Sequence, residues 1–223
     1  MSRDITYDRQ QKLKISPPAE ASVIGCGGVG AWIAIDLALT GVQKLRLFDD
    51  DTLEAHNLNR LPFSATDIGN KKTTVLYNFI KGIRPDIEIM QYGRVSSITK
   101  KLLSGVVIDC TDVIAAQQLI YDECKSRNMR YYRIGYDGHH ITVIDGQHPD
   151  APKVSKVWDD DSGRTGYTII SSWAAPPQLA ASMLTYIICC KVPQSGPCVP
   201  IIGDIYEIIA NHWEFQCMQR EKK

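Results

Sequence analysis

The chain has 223 residues, of which 44% are hydrophobic and 22% charged, enough for one α/β domain with a substantial core. Its 25 lysines and arginines are balanced by 25 aspartates and glutamates, so no overall charge favours binding to nucleic acid or to an anionic membrane. The N-terminal segment lacks the apolar core of a signal peptide and no apolar run is long enough to span a membrane, so we expect a cytoplasmic protein.

Strand and helix patterns alternate along the chain. Short runs rich in β-branched residues predict strands, and longer segments with apolar residues at helical spacing predict helices. The predicted elements, in order, are a strand at 20–26, a helix at 29–41, a strand at 44–49, a helix at 70–83, strands at 86–93 and 104–111, a helix at 113–127, strands at 131–138 and 139–146, and helices at 177–190 and 203–219.

This order predicts an α/β fold, with a Rossmann-like, doubly wound and mostly parallel sheet that has helices on both faces. We expect a single domain over 1–223, with a nucleotide-binding half at about 20–145 and a crossover loop and C-terminal helices at about 146–223. In such a sheet, ligands bind at the carboxyl ends of the strands.

A glycine-rich turn follows the first predicted strand. Gly25, Gly27 and Gly30 fit the pattern G-x-G-x-x-G, which permits a tight turn and brings phosphate to a helix N-terminus. Asp49 follows the next strand, 19 residues after Gly30, where an acid can accept hydrogen bonds from ribose hydroxyls. These features alone predict an adenosine site and also fit an NAD-dependent dehydrogenase.

Two basic side chains distinguish a dehydrogenase from a protein that transfers phosphoryl or nucleotidyl groups. Arg60 and Lys72 lie twelve residues apart, between the second strand and the next helix. Hydride transfer has little need of them, whereas phosphoryl or nucleotidyl transfer uses such cations to stabilise charge on phosphate oxygens. The alternatives are an Arg60 paired with Asp50 or Asp51 on the surface and a Lys72 solvated in the first turn of its helix.

Seven short motifs then follow one another in a characteristic order. They are YDRQ at 7–10, GCGGVGA at 25–31, FDDD at 48–51, NLNR at 57–60, IGNKK at 68–72, DCTD at 109–112 and GYDGHHITVIDG at 135–146. Together they resemble the ThiF/MoeB/HesA family, whose adenylating domain also occurs in ubiquitin-activating enzymes. The resemblance covers roughly 6–145 and, less closely, the helix at 177–188.

The resemblance implies a role for each matching residue in a site for ATP and Mg²⁺. The implied assignments are Gly25, Gly27, Gly28 and Gly30 for the turn around the nucleotide, Asp49 for the ribose with Asp51 beside it, Asn57, Arg60 and Lys72 for the phosphates, Asp112 for Mg²⁺, and Arg9 for the nucleotide site of a partner subunit. The last role implies a homodimer. Two simpler alternatives remain open, because Asp112 is also suited to capping the next helix and Arg9 could be an exposed residue near a frayed terminus.

The resemblance further implies an ATP-dependent adenylyltransferase that joins AMP to a carboxylate and releases pyrophosphate. The implied acceptor is the C-terminal glycine of a small ubiquitin-like or sulfur-carrier protein. Two departures favour instead a non-catalytic partner or scaffold protein of the same fold, because Leu61 and Val113 stand where the family usually has Gln and Asn.

The seven cysteines include no Cys-x-x-Cys pair, which argues against a structural zinc site. In thioester-forming relatives the crossover loop carries a nucleophilic cysteine, and the corresponding segment here, roughly 147–176, contains none. Cys198 is the only plausible candidate, because Cys189 and Cys190 lie in an apolar helix pattern. We therefore expect adenylation without an enzyme thioester.

Overall fold

The computed structural model describes residues 7–13, 15–147, 151, 172–190 and 201–204, the last four by their backbone alone. Its strands are β1 (Glu20–Ile24), β2 (Lys44–Phe48), β3 (Glu88–Tyr92), β4 (Val106–Asp109), β5 (Tyr131–Asp137), β6 (His140–Asp145) and β7 (Ile201–Asp204). Its helices are α1 (Gly28–Thr40), α2 (Lys72–Ile83), α3 (Ile114–Ser126) and α4 (Ala175–Cys190).

The strands form one sheet in the order β3-β2-β1-β4-β5-β6-β7. The five strands from β3 to β5 pair in parallel, whereas β6 and β7 are antiparallel to their neighbours. The strand order reverses between β1 and β4, which is the switch point where ligands bind in such sheets. The prediction of a doubly wound, mostly parallel sheet is confirmed.

Both faces of the sheet are covered, which explains the continuous apolar character of its central strands. All four residues of β4 are buried. Val23 belongs to the core cluster that includes α1, α2 and α4, while its neighbour Ile24 belongs to a second cluster with residues of α3. Because successive side chains of a strand point to opposite faces, the two clusters lie on opposite sides of the sheet.

The C-terminal part departs from the sequence prediction. The helix predicted at 203–219 is wrong at its start, because Ile201–Asp204 form β7 and pair with β6. The hydrogen-bonding edge of β6 decides the conformation of this β-branched segment, as tertiary context often does. The rest of that predicted helix lies outside the described residues. Among the residues that the structure describes, no helix is long and apolar enough to cross a membrane.

Candidate nucleotide-binding site

The glycine-rich turn joins β1 to α1 and rests on the backbone that follows β4. Gly25 has a φ of +87°, and a Cβ on it would lie 3.0 Å from the carbonyl oxygen of Cys110. A Cβ on Gly30 would lie only 1.7 Å from the carbonyl oxygen of Gly25. These two glycines are therefore required by the close packing of α1, β1 and β4.

The other two glycines differ in their surroundings, because Gly27 faces open space and Gly28 is buried under other side chains. Gly27 is the N-cap of α1, and a Cβ on it would meet no atom of the described residues within 4 Å. The backbone N–H groups of the first turn of α1 can therefore receive an anion. A Cβ on Gly28 would instead lie 2.7 Å from the hydroxyl of Tyr136 and 3.2 Å from Cδ of Arg60.

Asp49 ties the glycine-rich turn to the segment that follows β2. Its Oδ2 accepts a hydrogen bond of 2.6 Å from the backbone N–H of Cys26, and its Oδ1 accepts one of 2.8 Å from that of Asp51. Burial raises the pKa of Asp49, while these hydrogen bonds and the nearby Lys72 act in the opposite direction. Asp49 thus fixes the shape of the turn, and its contact with a ribose stays a prediction.

Arg60 lies beside the start of α1 with part of its guanidinium unsatisfied. Its Nη1 donates to the carbonyl of His56 at 2.9 Å and to Oδ1 of Asn59 at 3.0 Å. Its buried Nε has no hydrogen-bond partner among the described residues. Trp32 donates a hydrogen bond of 2.8 Å to the carbonyl of Arg60 and so fixes its backbone. A cationic donor is therefore held, incompletely paired, where a phosphate is expected.

Asp50 and Asp51 have partners other than Arg60, so the surface pairing considered for Arg60 is wrong. Asp50 accepts a hydrogen bond of 3.1 Å from Arg94, and Asp51 accepts one of 2.8 Å from Nζ of Lys72. That bond is the main cause of the lowered pKa of Asp51. The Lys72 side chain is only 12% exposed, so the alternative of a solvated lysine is also wrong.

Asn57 is buried and supports the backbone that leads to Arg60. It ends the short 3-10 helix Ala55–Asn57, and its Oδ1 accepts a hydrogen bond of 3.0 Å from the backbone N–H of Glu54. The structure thus gives the Asn57 side-chain oxygen a local structural partner. Its implied contact with a phosphate stays a prediction.

Asp112 is exposed at the carboxyl edge of the sheet, between β4 and α3. The N-cap of α3 is Val113 and has no side-chain capping bond, so the alternative that Asp112 caps this helix is wrong. An exposed carboxylate beside the switch point can supply the oxygen ligands that Mg²⁺ prefers. Asp112 therefore fits the metal role that the resemblance implies.

A network centred on Asp109 supports the loop that carries Asp112, and the sequence did not reveal it. The Asp109 side chain is fully buried, and its Oδ1 accepts hydrogen bonds from the backbone N–H and the hydroxyl of Thr111 at 3.0 and 2.7 Å. Its Oδ2 accepts one of 2.9 Å from Tyr131. Burial raises the pKa of Asp109. The available signal was an acid at the end of the apolar run VVID, where burial forces it to find partners.

Arg9 lies apart from this cluster. Its neighbour Gln10 donates a hydrogen bond of 2.7 Å to the carbonyl of Thr40, and the ring of Tyr7 covers Gly41. The exposed Arg9 is therefore near the C-terminal end of α1, about 18 Å along that helix from the glycine-rich turn. The structure does not bring Arg9 to the other candidate residues of its own chain.

Four cysteines of the described residues are unsuited to nucleophilic attack. Burial raises the pKa of Cys26 and of Cys110 well above the usual thiol value, that of Cys124 to about 12 and that of Cys189 to about 11. A thiolate is the reactive form, so these four groups stay protonated at neutral pH. Cys198 lies outside the described residues.

The glycine-rich turn, Asp49, Arg60 and the exposed Asp112 lie at one edge of a doubly wound sheet, which defines a Rossmann-like α/β protein with a candidate ligand site at its switch point. Comparison with known families makes the assignment specific. The sequence profile of the ThiF family matches residues 1–200, so the chain belongs to the ThiF family.

The chain is similar to curated proteins over slightly more than half of its length. It is 36% identical over 130 residues to the sulfur carrier protein ThiS adenylyltransferase of Escherichia coli K12. The alignment covers 56% of this chain and 51% of that protein. It is 28% identical over 130 residues to ubiquitin-like modifier-activating enzyme 5 of Drosophila erecta, covering 51% of this chain and 32% of that protein. The chain thus spans about half of the first relative and a third of the second.

Solved structures support the fold. MccB of E. coli with MccA-N7isoASN has a TM-score of 0.67 at 20% identity, covering 87% of this chain and 66% of that one. MccB of E. coli with ATP has a TM-score of 0.63 at 19% identity, with the same coverage. At this identity the likeness establishes a shared fold.

Proposed function

We propose that this chain binds ATP and Mg²⁺ and transfers AMP to a carboxylate, releasing pyrophosphate. The observation that carries the proposal is the buried Nε of Arg60 beside Gly28, at the N-terminus of α1, which has no hydrogen-bond partner in the part of the chain that the structure describes. A buried donor without a partner costs free energy, and an anion at the helix start would remove that cost. A triphosphate supplies such an anion.

In the proposed reaction, a carboxylate oxygen of the acceptor attacks the α-phosphorus of ATP. A new P–O bond forms, the bond between the α-phosphorus and the bridging oxygen breaks, and its electron pair leaves with pyrophosphate. Arg60 would bind phosphate oxygens on which negative charge accumulates. Lys72 would join it by exchanging part of its contact with Asp51 for the nucleotide.

Asp112 would hold Mg²⁺ through its carboxylate, and the bound ion would neutralise phosphate charge. Asp49 would accept hydrogen bonds from the ribose while it continues to fix the glycine-rich turn. Each carboxylate oxygen has two lone pairs, so the bonds that Asp49 already accepts leave acceptor capacity for ribose hydroxyls.

The proposed acceptor is the C-terminal glycine of a small sulfur-carrier or ubiquitin-like protein. The support comes from the relatives, one a ThiS adenylyltransferase and another an activating enzyme for a ubiquitin-like modifier. Since 147–176 contains no cysteine, we propose that the acyl adenylate passes directly to an outside sulfur or amine donor.

We further propose a homodimer of single-domain, cytoplasmic subunits, in which Arg9 of one subunit completes the site of the other. The support is the position of Arg9 at the far end of α1 from its own glycine-rich turn. A residue in that place can serve a nucleotide more readily in a neighbouring chain, as arginine fingers supplied in trans do.

The test compares Arg60→Ala with Arg127→Ala, a matched control at the exposed C-terminal end of α3. Loss of a charge-assisted phosphate contact should weaken ATP binding by about 1.5–3 kcal/mol and change adenosine binding little. Calorimetry with both ligands measures this difference. Equal ATP affinity in Arg60→Ala and the wild type would refute the assignment, and NAD binding in place of ATP would favour a dehydrogenase.

A non-catalytic partner or scaffold protein is the second candidate. Leu61 is 6% exposed and packs in the main core, so this position offers no polar group to a ligand. Val113 exposes an apolar side chain next to Asp112. Pyrophosphate release distinguishes the two candidates, because a scaffold would bind ATP or a partner and would release no pyrophosphate.

A further inference from the structure

Tyr136 lies directly over the start of α1, although it comes from the far end of β5. Its hydroxyl is 2.7 Å and its Cε1 3.2 Å from the place that a Cβ on Gly28 would occupy. The same place is 3.2 Å from Cδ of Arg60. The phenol therefore stands beside Arg60, over the turn where the proposed function places a phosphate.

The hydroxyl of Tyr136 also contacts the segment that leads into α4. It lies 2.5 Å from Oγ of Ser172, and either oxygen can be the donor. Nδ2 of Asn59 donates a hydrogen bond of 2.7 Å to the carbonyl of Ser172. The indole of Trp173 meets the ring of His139 edge to face, with centroids 5.7 Å apart. Ser172 is thus bonded to Tyr136 and to Asn59, the residue before Arg60, and Trp173 follows it in the chain.

We propose that Tyr136 contacts a phosphate of the nucleotide and transmits its presence to Ser172 and Trp173. This inference rests on the proposed function, which places a phosphate at the N-terminus of α1. A phenol has one proton to donate and can accept hydrogen bonds as well. The Tyr136 O–H donates to the phosphate, and the Ser172 O–H then donates to the Tyr136 oxygen.

The phosphate therefore determines which oxygen is the donor in the hydrogen bond between Tyr136 and Ser172, where either could otherwise donate. A hydrogen bond to an ionised group is stronger than a neutral one, and hydrogen bonds in a chain polarise one another. Binding of ATP consequently holds Ser172 more firmly, and Trp173 beside it becomes less accessible to solvent. In the structure, 47% of the Trp173 surface is exposed and so can become less accessible.

The first measurement is ATP affinity by calorimetry. Tyr136→Phe keeps the ring over Gly28 and removes only the hydroxyl, and Tyr186→Phe on the exposed face of α4 is the matched control. We expect Tyr136→Phe to weaken ATP binding about tenfold or more while adenosine binding changes less than twofold. We expect Tyr186→Phe to bind both ligands as the wild type does.

The second measurement is acrylamide quenching of tryptophan fluorescence, with Trp173→Phe identifying the contribution of this residue. Saturating ATP should lower the quenching of Trp173 in the wild type. The same change should be absent in Tyr136→Phe and in Ser172→Ala, each measured at its own saturating ATP concentration. A change retained in either variant would overturn the transmission step.

Different results would overturn the proposed function and the phosphate contact of Tyr136. A wild-type protein that does not bind ATP overturns the proposed function and this inference with it. A wild type that binds ATP, with a Tyr136→Phe variant of equal affinity, overturns only the phosphate contact of Tyr136.

Discussion

Replacement of Gly30 by alanine should destabilise the fold by a predictable amount. A Cβ at Gly30 would lie 1.7 Å from the carbonyl oxygen of Gly25, so α1 must move to restore an ordinary contact. Movement is resisted because α1 is buried against the sheet and against α4. Overpacking of this kind costs up to about 3 kcal/mol. Alanine recovers about 1 kcal/mol through its better helix propensity, which leaves a net loss of about 2 kcal/mol.

The assay is urea unfolding together with thermal unfolding. This loss of stability should lower the melting temperature by about 4–8 °C. Gly82→Ala is the matched control, because Gly82 lies in α2 and a Cβ there meets nothing within 4 Å. It should stabilise the protein by about 0.5–1 kcal/mol. A Gly30→Ala variant that unfolds at the wild-type urea midpoint would refute the packing argument.

Three further predictions concern the protonation of Asp109, a site shared between two subunits and the absence of an enzyme thioester. Since burial raises the pKa of Asp109, the folded state keeps this proton to higher pH than the unfolded chain, and stability should fall as the pH rises from about 4 through the raised pKa. Urea midpoints across this pH range should depend less on pH in Asp109→Asn, and an unchanged slope would contradict the assignment. Mixing Arg9→Ala with Asp112→Ala should restore part of the activity that each variant lacks alone, whereas a fully active monomer would contradict the shared site. Incubation with ATP, Mg²⁺ and a carrier ending in Gly-Gly should give a carrier adenylate by mass spectrometry and no thiol-sensitive band on a non-reducing gel, and a band lost in Cys198→Ala would contradict this prediction.

The fold of the segment at about 20–145 was predictable because each of its elements has a local signature. The strand pattern at 20–26 and the glycine spacing after it require one arrangement, a tight turn into a helix. Gly25 and Gly30 show why the spacing matters, since each fills a place where a Cβ would meet backbone. Local pattern and tertiary packing agree there, and the fold prediction was correct for that reason.

Features that depend on distant side chains could not be predicted. Asp109 finds its partner Tyr131 across neighbouring strands, and Tyr136 reaches Gly28 from a strand more than a hundred residues later in the chain. Periodicity reports which face a residue occupies and gives no information about which side chain it meets. The strand at Ile201–Asp204 was missed for a related reason, because β6 supplies its hydrogen-bonding partners.

The position of β1 between β2 and β4 also constrains the order in which the protein can fold. Glu20 of β1 pairs with Lys44 of β2, 24 residues later, whereas Ala21 pairs with Val106 of β4, 85 residues later. The closure of a long loop is slow relative to the pairing of nearby strands, so we expect β1 and β2 to associate early and β4 to join them late. The carbonyl of Cys110, which packs against Gly25, takes its place only when β4 joins the sheet. A nascent chain that has not yet produced β4 therefore lacks the backbone on which the glycine-rich turn rests. If the proposed site is correct, nucleotide can stabilise this protein only after β4 has paired with β1.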